Sequence, residues 1–381
     1  MRVLMVSDVY FPRVNGVSTS IETFRTALPR HGVTVRMVAP RYGHETDSPD
    51  VVRVKGWQVP GDPEDRLLHW RAMHRAALAA ARNCDLIHIQ TPFVAHYAGL
   101  KAASTLGKPV LATYHTLFEE YLHHYAPMLP ARWLRGQASA WSRRQCNALD
   151  AVVVPSSAMR DRLRDYGVST SMHVLPTGIP VLNFADADGA SFRARHGIAP
   201  ERPMALFVGR VAHEKNIGFL LQALQHALKG CPDLLLVIAG EGPARAELQQ
   251  QVAQQQLDHS VRFIGYLERH HELPACYAAA DVFVFASLTE TQGLVLLEAM
   301  AAGTPVVALA EMGTTDILAS ARSAIAPPND PAAFGAQLAE LFAQPERLEQ
   351  LRQHARSDAS AWSDTAMAGR LAALYRSLLA S

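Results

Sequence analysis

The fold class of this chain is decided by the stretch Ser287-Leu-Thr-Glu290-Thr-Gln292-Gly293-Leu294-Val-Leu-Leu-Glu298-Ala-Met-Ala-Ala-Gly303-Thr-Pro305-Val-Val. Residues 281–286, just before it, are almost wholly apolar and predict a buried strand, and residues 294–302 predict a helix. A buried strand that leads directly into a helix is typical of a parallel sheet covered by helices. Another apolar strand begins at Pro305, so the stretch predicts one strand–helix–strand unit of an α/β protein.

Two carboxylates and a glycine make the same stretch a candidate ligand site. Gly293 precedes the predicted helix, where unpaired backbone N–H groups and the helix dipole both favour a phosphate group. Glu298 lies about a turn and a half inside that helix and can accept two hydrogen bonds from a diol such as ribose. With Glu290 on the preceding loop, the arrangement predicts a site for a nucleotide that carries a polyhydroxylated group.

The alternation of short apolar runs and amphipathic segments extends along the whole chain. Strands are predicted at 2–7, 34–39, 86–90, 109–114, 151–155 and 173–176, then at 204–208, 234–239, 261–264, 281–286 and 305–308. Helices are predicted between them, at 19–31, 72–83, 216–228, 244–255 and 294–302. We therefore expect an α/β fold of two doubly wound parallel-sheet domains facing a cleft, with ligands at the carboxyl ends of the strands.

The predicted domains are 1–178 and 203–358, joined by a linker at 179–202 and followed by a helical segment at 359–381. The linker is rich in small and polar residues and has no periodicity before Phe192. It contains Asp186-Ala-Asp188, and two aspartates at this spacing can hold a divalent cation that bridges a diphosphate. The pair follows no predicted strand, which favours a solvated linker over a metal site.

Composition excludes several classes of protein. The 381 residues are 49% hydrophobic and 19% charged, with a net charge of +1, which gives no support for a nucleic-acid or acidic partner. The four cysteines are far apart and form no C-x-x-C pair, which argues against a disulfide framework or a cysteine zinc site. The histidines have no metal-ligand spacing. Neither a signal peptide nor an apolar run of about 20 residues is evident, so we expect a cytoplasmic protein.

Three further segments carry candidate site residues. In the segment from Gly209 to Asn216, Arg210 and Lys215 follow a predicted strand, and two such cations suit a diphosphate as well as they suit a solvated loop. His115 lies just beyond another strand, where it could bind a sugar hydroxyl or serve only a structural role. Gly16 follows the first strand and would let the backbone approach a ligand, although a plain turn explains it equally well.

Together these residues resemble family 4 of the retaining glycosyltransferases, which have the GT-B fold. The resemblance extends from Asn15-Gly16-Val17 through His115-Thr116 and Gly209-Arg210 to the Glu290-x7-Glu298 motif. It implies an acceptor-binding N-terminal domain, a C-terminal domain that binds a nucleotide sugar, and a final helix that crosses back onto the first domain. No cofactor or metal is implied.

The resemblance also assigns roles to individual positions. Arg210 and Lys215 match residues that hold the donor diphosphate, together with Gly209 and the backbone at Gly293 and Leu294. Glu298 matches the carboxylate that binds the ribose, and Glu290 matches the one that contacts the transferred sugar. His115 matches a histidine near the reacting carbon of that sugar, and Gly16 a glycine close to the diphosphate and the acceptor. Gln292 departs from the commonest pattern, in which phenylalanine precedes the glycine.

The sequence Thr289-Glu290-Thr291-Gln292-Gly293 most resembles that of the glucosyl-diacylglycerol synthase branch, whose members use UDP-glucose and a lipid acceptor. This implies transfer of a hexose to a diacylglycerol-type lipid at the inner face of the membrane. A GDP-mannose-dependent α-mannosyltransferase, a nucleotide-sugar epimerase and a nucleotide-sugar-binding protein without catalysis stay open as alternatives. The missing G-x-G-x-x-G motif disfavours an NAD dehydrogenase. The oligomeric state is not predicted.

One segment could bring such an enzyme to a membrane. Residues 131–147 predict a helix on which Trp133, Leu134 and Trp141 share one face and several arginines share another. Arg71, Arg75 and Arg82 form a second basic stripe. The alternative is that the tryptophans face the core and the arginines are solvated.

Overall fold

Short apolar strands alternate with helices in both halves of the chain, because each strand is buried on both faces and needs a helix to cover it. The computed structural model describes residues 1–43, 45, 48–59, 62–115 and 131–380. They form two compact units, which we name unit 1 (Met1–Gly178 with Asp364–Ser381) and unit 2 (Ile179–Ser363). Each contains one mainly or wholly parallel sheet, which confirms the predicted α/β class.

The sheet of unit 1 has eight strands in the order β4-β3-β2-β1-β5-β6-β7-β8. All neighbours in it are parallel except β3 and β4, which pair antiparallel. The strands are β1 (Arg2–Val6), β2 (Thr34–Arg41), β3 (Val51–Val59), β4 (Asp62–Leu68), β5 (Leu86–Ile89), β6 (Val110–Thr113), β7 (Ala151–Val154) and β8 (Met172–Val174). The carboxyl ends of the central strands therefore share one edge, where the first candidate residues lie.

The helices of unit 1 cover that sheet. Among the residues that the structure describes, they are α1 (Gly16–Ala27), α2 (Trp70–Ala81), α3 (Val94–Leu106), α4 (Ala131–Cys146), α5 (Ser157–Asp165) and, after the whole of unit 2, α14 (Asp364–Ala380). The last helix packs on α1 and on the short 3-10 turn Leu28–His31. It buries Leu371 and Tyr375 in the core of unit 1.

The sheet of unit 2 has six parallel strands in the order β11-β10-β9-β12-β13-β14. They are β9 (Met204–Val208), β10 (Leu235–Ala239), β11 (Val261–Gly265), β12 (Val282–Phe285), β13 (Val306–Ala308) and β14 (Ala324–Ile325). The helices are α6 (Gly189–Arg195), α7 (Ile217–Ala227), α8 (Arg245–Gln254), α9 (Glu272–Ala279), α10 (Leu294–Ala301), α11 (Thr314–Ser320), α12 (Pro331–Phe342) and α13 (Pro345–Ser360). Strand β9 lies at the centre, so the loops after β9 and β12 are neighbours.

The structure differs from the sequence-based expectation at three places. Residues 179–202 are not a plain linker, because they form a 3-10 turn and α6, and Phe184 and Phe192 are buried in the core of unit 2. The segment 359–381 is divided, since Trp362 packs in unit 2 and only the part from Asp364 belongs to unit 1. The hairpin of β3 and β4 was not predicted, because glycine, proline and charged residues interrupt its apolar pattern.

Candidate functional site

The loop after β9 is held against the end of β12 by side chains on both sides. Asn216 adopts a left-handed backbone conformation, with φ of 54°, between a 3-10 turn and α7. Its side-chain amide donates to the carbonyl oxygen of Ala286 over 3.1 Å. The buried hydroxyl of Ser287 donates in turn to the carbonyl oxygen of Glu214 over 3.0 Å. These two bonds fix Lys215, which lies between Glu214 and Asn216, beside the loop that carries Glu290.

Lys215 and Glu290 form an ion pair in unit 2, with 2.6 Å between Nζ and Oε2. Both side chains are about one-fifth exposed, at 21% and 22%, so a ligand from solvent can reach the pair. Arg210 lies on the same loop and is exposed, and no hydrogen bond engages its guanidinium group within the part of unit 2 that the structure describes. The structure thus brings two predicted cations and one predicted carboxylate to the same edge of the sheet.

Gly293 allows the loop to turn into α10. Its φ of +88° lies in the left-handed region, which glycine adopts without strain, and it is the N-cap residue of the helix. The loop before it is held by Gly313, whose N–H donates to the carbonyl oxygen of Glu290 over 2.8 Å. A Cβ at position 313 would lie 2.2 Å from the carbonyl oxygen of Thr291, so this approach requires glycine. Gln292, on that loop, is buried.

Glu298 is a buried carboxylate on α10, with 8% of its surface exposed. Tyr277 of α9 donates its phenol hydrogen to Oε2 over 2.8 Å, and Arg269 donates to Oε1 over 3.4 Å. Burial raises the pKa of Glu298, while the charge of Arg269 and the hydrogen bond from Tyr277 lower it. A carboxylate placed in this way accepts hydrogen bonds from a ligand when it is ionised.

Unit 1 contains the predicted histidine, His115, two residues beyond β6. Its Nε2 is 3.0 Å from Oε1 of Gln90, and because that amide oxygen only accepts, Nε2 carries the hydrogen. Burial lowers the pKa of His115 to about 4. The ring is therefore neutral at pH 7, and Nδ1 keeps a lone pair that can accept a hydrogen bond from a hydroxyl group.

A cavity of about 320 Å³ lies at this edge of the unit 1 sheet, and His115 contributes to its lining. Most of the remaining wall comes from the loops after β1 and β5, from α4 and from the end of β4, including Leu67, Leu68 and Phe93. Asp8 lies half-buried in the wall, where it accepts hydrogen bonds from the hydroxyl of Thr91 and the N–H of Ala95. Burial raises the pKa of Asp8 to about 6.

Gly16 is the first residue of α1, and the neighbouring Asn15 caps that helix. The Asn15 side chain accepts from the N–H of Ser18 over 2.8 Å, and the Ser18 hydroxyl accepts from the N–H of Asn15 over 2.9 Å. This capping box fixes the start of the helix at the same edge of the sheet as His115. A Cβ at position 16 would meet no atom within 4 Å, so the space beside Gly16 is open.

The two basic segments, α4 and α2, differ in which aromatic and basic side chains reach solvent. Trp141 of α4 donates its indole N–H to the Tyr97 hydroxyl over 2.9 Å, and its ring lies 6.3 Å from that of Phe93. Trp133 and Leu134 are among the residues whose side chains the structure does not describe. On α2, Arg71 and Arg75 are exposed next to Trp70, which is 41% exposed.

The unpredicted hairpin adds apolar surface near α2. Trp57 of β3 and Leu67 of β4 are direct cross-strand partners and are 70% and 57% exposed. Leu67 also lines the cavity, so this apolar surface continues into the cavity wall. No described helix has the length and apolar character needed to cross a bilayer.

The predicted residues fall into two groups. Unit 1 contains Gly16 and His115, while unit 2 contains the other eight: Gly209, Arg210, Lys215, Glu290, Gln292, Gly293, Leu294 and Glu298. Sequence reasoning missed Tyr277, Arg269 and Gln90, since each acts through a contact between elements that are distant in sequence. The signal that the sequence offered for Gln90 was its position as the last residue of the strand predicted at 86–90.

Asp188 has a structural role that the sequence analysis did not consider. Its carboxylate caps α6, accepting from the N–H of Ser191 over 2.9 Å and from the Ser191 hydroxyl over 2.5 Å. These bonds lower the pKa of Asp188. Within the described ranges, no three or more His, Cys, Asp or Glu side chains are grouped so as to hold a metal ion.

Comparison with known proteins identifies relatives along most of the chain. The family model described as Glycosyltransferase Family 4 matches residues 14–181, and the model described as Glycosyl transferases group 1 matches residues 189–358. An alpha-monoglucosyldiacylglycerol synthase from Streptococcus pneumoniae is 35% identical over 81% of this chain and 71% of its own. A GDP-mannose-dependent alpha-mannosyltransferase from Mycobacterium tuberculosis is 30% identical over 85% of this chain and 83% of its own.

A solved structure extends the comparison to the fold. The crystal structure of Anabaena HepE in complex with UDP has a TM-score of 0.76 at 17% sequence identity. The match covers 99% of this chain and 100% of that one. Likeness at this level of identity concerns the fold, which is the GT-B arrangement of two Rossmann-like domains.

Proposed function

The chain belongs to glycosyltransferase family 4, and from this we propose that it transfers glucose from UDP-glucose to a diacylglycerol-type lipid with retention of anomeric configuration. It is a glycosyltransferase by family; the donor, the acceptor and the stereochemistry are our proposal. The observation that carries the proposal is the ion pair of Lys215 and Glu290, accessible to solvent beside the exposed Arg210. A nucleoside diphosphate sugar offers the negative charge and the hydroxyl groups that such a set would bind.

Binding of the donor would replace the contact between Lys215 and Glu290 with contacts from each residue to the donor. We propose that the diphosphate takes Lys215 and Arg210 as partners and accepts hydrogen bonds from the backbone at Gly209, Gly293 and Leu294. Glu290, released from Lys215, would then accept hydrogen bonds from hydroxyl groups of the transferred sugar. The buried Gln292 would hold the shape of this loop.

Glu298 would bind the ribose of the donor. Its Oε2 is already held by Tyr277, and the carboxylate can still accept from the ribose hydroxyl groups when it is ionised. The name of the HepE complex supports a nucleoside diphosphate in a protein of this fold.

His115 and Gly16 would act on the sugar and the acceptor. A neutral imidazole whose Nε2 hydrogen is engaged by Gln90 presents Nδ1 as an acceptor, which suits a sugar hydroxyl. The open space beside Gly16 suits close approach of a ligand to the backbone. The largely apolar wall of the neighbouring cavity favours a lipid acceptor, as the name of the Streptococcus pneumoniae relative also does.

Retention is proposed through attack on the same face of the sugar. The bond from the anomeric carbon to the phosphate oxygen breaks as the bond to the acceptor oxygen forms, and the acceptor proton passes to the departing phosphate. Arg210 and Lys215 would stabilise the negative charge that develops on that phosphate, which is commonly the largest electrostatic contribution to such catalysis. We propose that the reaction needs no metal, since these two cations act where a divalent ion would otherwise neutralise the diphosphate.

We propose that the protein acts at a membrane surface. The exposed side chains of Trp57, Leu67 and Trp70 lie near the cations Arg71 and Arg75, a combination that favours the interface of an anionic bilayer. The protein would then bind peripherally, at the inner face of the cytoplasmic membrane.

A second donor is supported by one specific comparison. The Mycobacterium tuberculosis relative, at 30% identity, is named for GDP-mannose, so GDP-mannose is the alternative donor. The ion pair and Glu298 would serve either nucleotide, because diphosphate and ribose are common to both.

The test is nucleotide release by purified protein from a panel of UDP- and GDP-hexoses, with and without diacylglycerol vesicles. We expect vesicle-stimulated release of UDP from UDP-glucose, unaffected by EDTA, and an α-glucosyl lipid as product. Release of GDP from GDP-mannose would establish the alternative donor. Hydrolysis or epimerisation of the donor without any lipid product would contradict transfer, and a β-linked product would contradict retention.

A further inference from the structure

Tyr277 has a buried hydroxyl group in unit 2 with a defined partner. The residue lies on α9, fully buried, with its ring 5.7 Å from that of Phe283 and 6.0 Å from that of Phe184. The Thr304 hydroxyl also donates to the carbonyl oxygen of Tyr277 over 2.7 Å. Both the ring and the backbone are therefore fixed, so the phenol group can point in only a narrow range of directions.

That direction is towards Glu298. The phenol donates to Oε2 over 2.8 Å, and burial raises the pKa of Tyr277 well above its usual range, which keeps the hydroxyl protonated as a donor. The other carboxylate oxygen, Oε1, faces Arg269, whose side chain is 47% exposed. Oε1 therefore lies on the side that a ligand from solvent can reach, while Oε2 is held from the protein interior.

The charged and titratable groups around Glu298 come from several elements. Arg269 contributes a positive charge from the loop after β11, and α9 contributes Tyr277 and the buried thiol of Cys276. Burial raises the pKa of Cys276 well above its usual range, so the thiol stays neutral. The three arginines of α13 have other partners: Arg347 binds Glu340, Arg352 binds Asp281 and Arg356 binds the carbonyl oxygen of Ala185. Among the described residues around Glu298, the carboxylate is therefore stabilised chiefly by the partly exposed cation of Arg269 and the buried phenol of Tyr277.

We propose that Tyr277 is a positioning residue that holds Glu298 in the ionised, correctly oriented form that accepts hydrogen bonds from the ribose hydroxyl groups of the donor. The inference rests on the proposed role of Glu298 in donor binding. A ribose diol offers two donors and therefore needs an acceptor. A hydrogen bond from Tyr277 to one oxygen favours the ionised carboxylate and restricts its rotation, which leaves the second oxygen directed at the ligand.

The pH dependence of binding follows from this arrangement. Burial raises the pKa of Glu298, and loss of the Tyr277 hydrogen bond raises it further. A carboxylate binds the diol when ionised, so donor affinity falls as the pH falls through that pKa. In Tyr277→Phe this loss begins at a higher pH than in the wild type, an effect that loss of packing alone does not produce.

The test is equilibrium binding of UDP and GDP to the full chain between pH 5.5 and 8.5. The variants are Tyr277→Phe and Glu298→Gln, with Tyr375→Phe as control, since Tyr375 is an equally buried tyrosine of unit 1. For whichever nucleotide binds, its 2′-deoxy and 3′-deoxy forms are compared. We expect Tyr277→Phe to bind about tenfold more weakly at pH 7.5 and weaker still at pH 6. Removal of a ribose hydroxyl should reduce nucleotide affinity less in Tyr277→Phe than in the wild type. Tyr375→Phe should bind the nucleotides as the wild type does.

The outcomes separate this inference from the proposed function. If Glu298→Gln binds weakly but Tyr277→Phe matches the wild type at every pH, the positioning role is wrong and the ribose site stands. If Glu298→Gln binds as the wild type does, the ribose site itself is wrong and the inference falls with it. Should Tyr277→Phe fold poorly by thermal unfolding, Tyr277→Leu is the second variant, with the same expected shift in pH dependence.

Discussion

The Nζ atom of Lys215 lies 2.6 Å from Oε2 of Glu290, and the two residues come from loops that follow neighbouring strands, β9 and β12. Within this ion pair each charge neutralises the other. A partly exposed pair of this kind contributes little to stability, because solvent screens it and two long side chains lose freedom. We therefore explain the ion pair by the proposed ligand binding, in which the diphosphate would contact Lys215 and the sugar would contact Glu290.

Replacing Lys215 with alanine should reduce kcat by roughly 10²–10³, because the departing diphosphate loses a cation and Glu290 loses its partner. The measurement is steady-state release of nucleotide from the donor that the panel identifies. Lys229→Ala is the matched control, since Lys229 is an exposed lysine of the same unit. Thermal unfolding of both variants should stay close to the wild type, and wild-type turnover in Lys215→Ala would remove Lys215 from the site.

Gly313→Ala should displace the loop that carries Glu290. The new Cβ would lie 2.2 Å from the carbonyl oxygen of Thr291, so the backbone must move, at a cost of about 1–3 kcal/mol. We expect a lower unfolding temperature and a higher KM for the donor. The control is Gly218→Ala in α7, where the nearest atom is 3.7 Å away and alanine should stabilise the helix by about 0.5–1 kcal/mol. An unchanged donor KM in Gly313→Ala would show that the loop position does not matter for binding.

Much of the site in unit 2 could be predicted because its residues lie next to one another in sequence. The Glu290-x7-Glu298 spacing and the glycine before a helix are local patterns, and the buried strands before them have a clear apolar signal. Tyr277 and Arg269 have no such signal: one lies in a largely apolar helix and the other among polar loop residues. Only the folded chain shows that both reach the carboxylate of Glu298.

Residues 179–202 differ from the predicted linker for a similar physical reason. The segment containing Phe184 and Phe192 was interpreted as a linker, because two aromatic residues eight positions apart form no periodic pattern. Their burial in the core of unit 2 depends on packing against other elements, among them Tyr277 for Phe184. The local sequence pattern predicts secondary-structure elements that have many apolar residues. It misses short elements that a single large side chain anchors in the core.

Acidification should destabilise unit 1 through its buried histidines. Burial lowers the pKa of His88 to about 3 and those of His96 and His115 to about 4, against 6.5 for an exposed histidine. Between these values the unfolded chain binds more protons than the folded one, so the free energy of unfolding falls as the pH is lowered from about 6.5 towards 4. Asp8, with a pKa of about 6, acts in the opposite direction but is one group against three.

The measurement is the free energy of unfolding in urea at pH 7.5 and pH 5.0. His88→Gln should show a smaller loss between the two pH values than the wild type, because glutamine does not titrate. His69→Gln, at an exposed position of the same unit, should keep the wild-type loss. Equal losses in all three proteins would contradict a neutral, buried His88.

Trp57→Ser combined with Trp70→Ser should weaken binding to anionic vesicles by about tenfold, since two exposed indoles would no longer enter the bilayer interface. The assay is sedimentation with vesicles of phosphatidylglycerol, compared with vesicles of phosphatidylcholine. Leu182→Ser is the control, because Leu182 is an apolar residue of unit 2 that is 80% exposed. High salt should weaken binding of the wild type, as Arg71 and Arg75 contribute charge. If the double variant sediments as the wild type does, the hairpin and the start of α2 do not form the membrane-binding surface, and α4 becomes the segment to test.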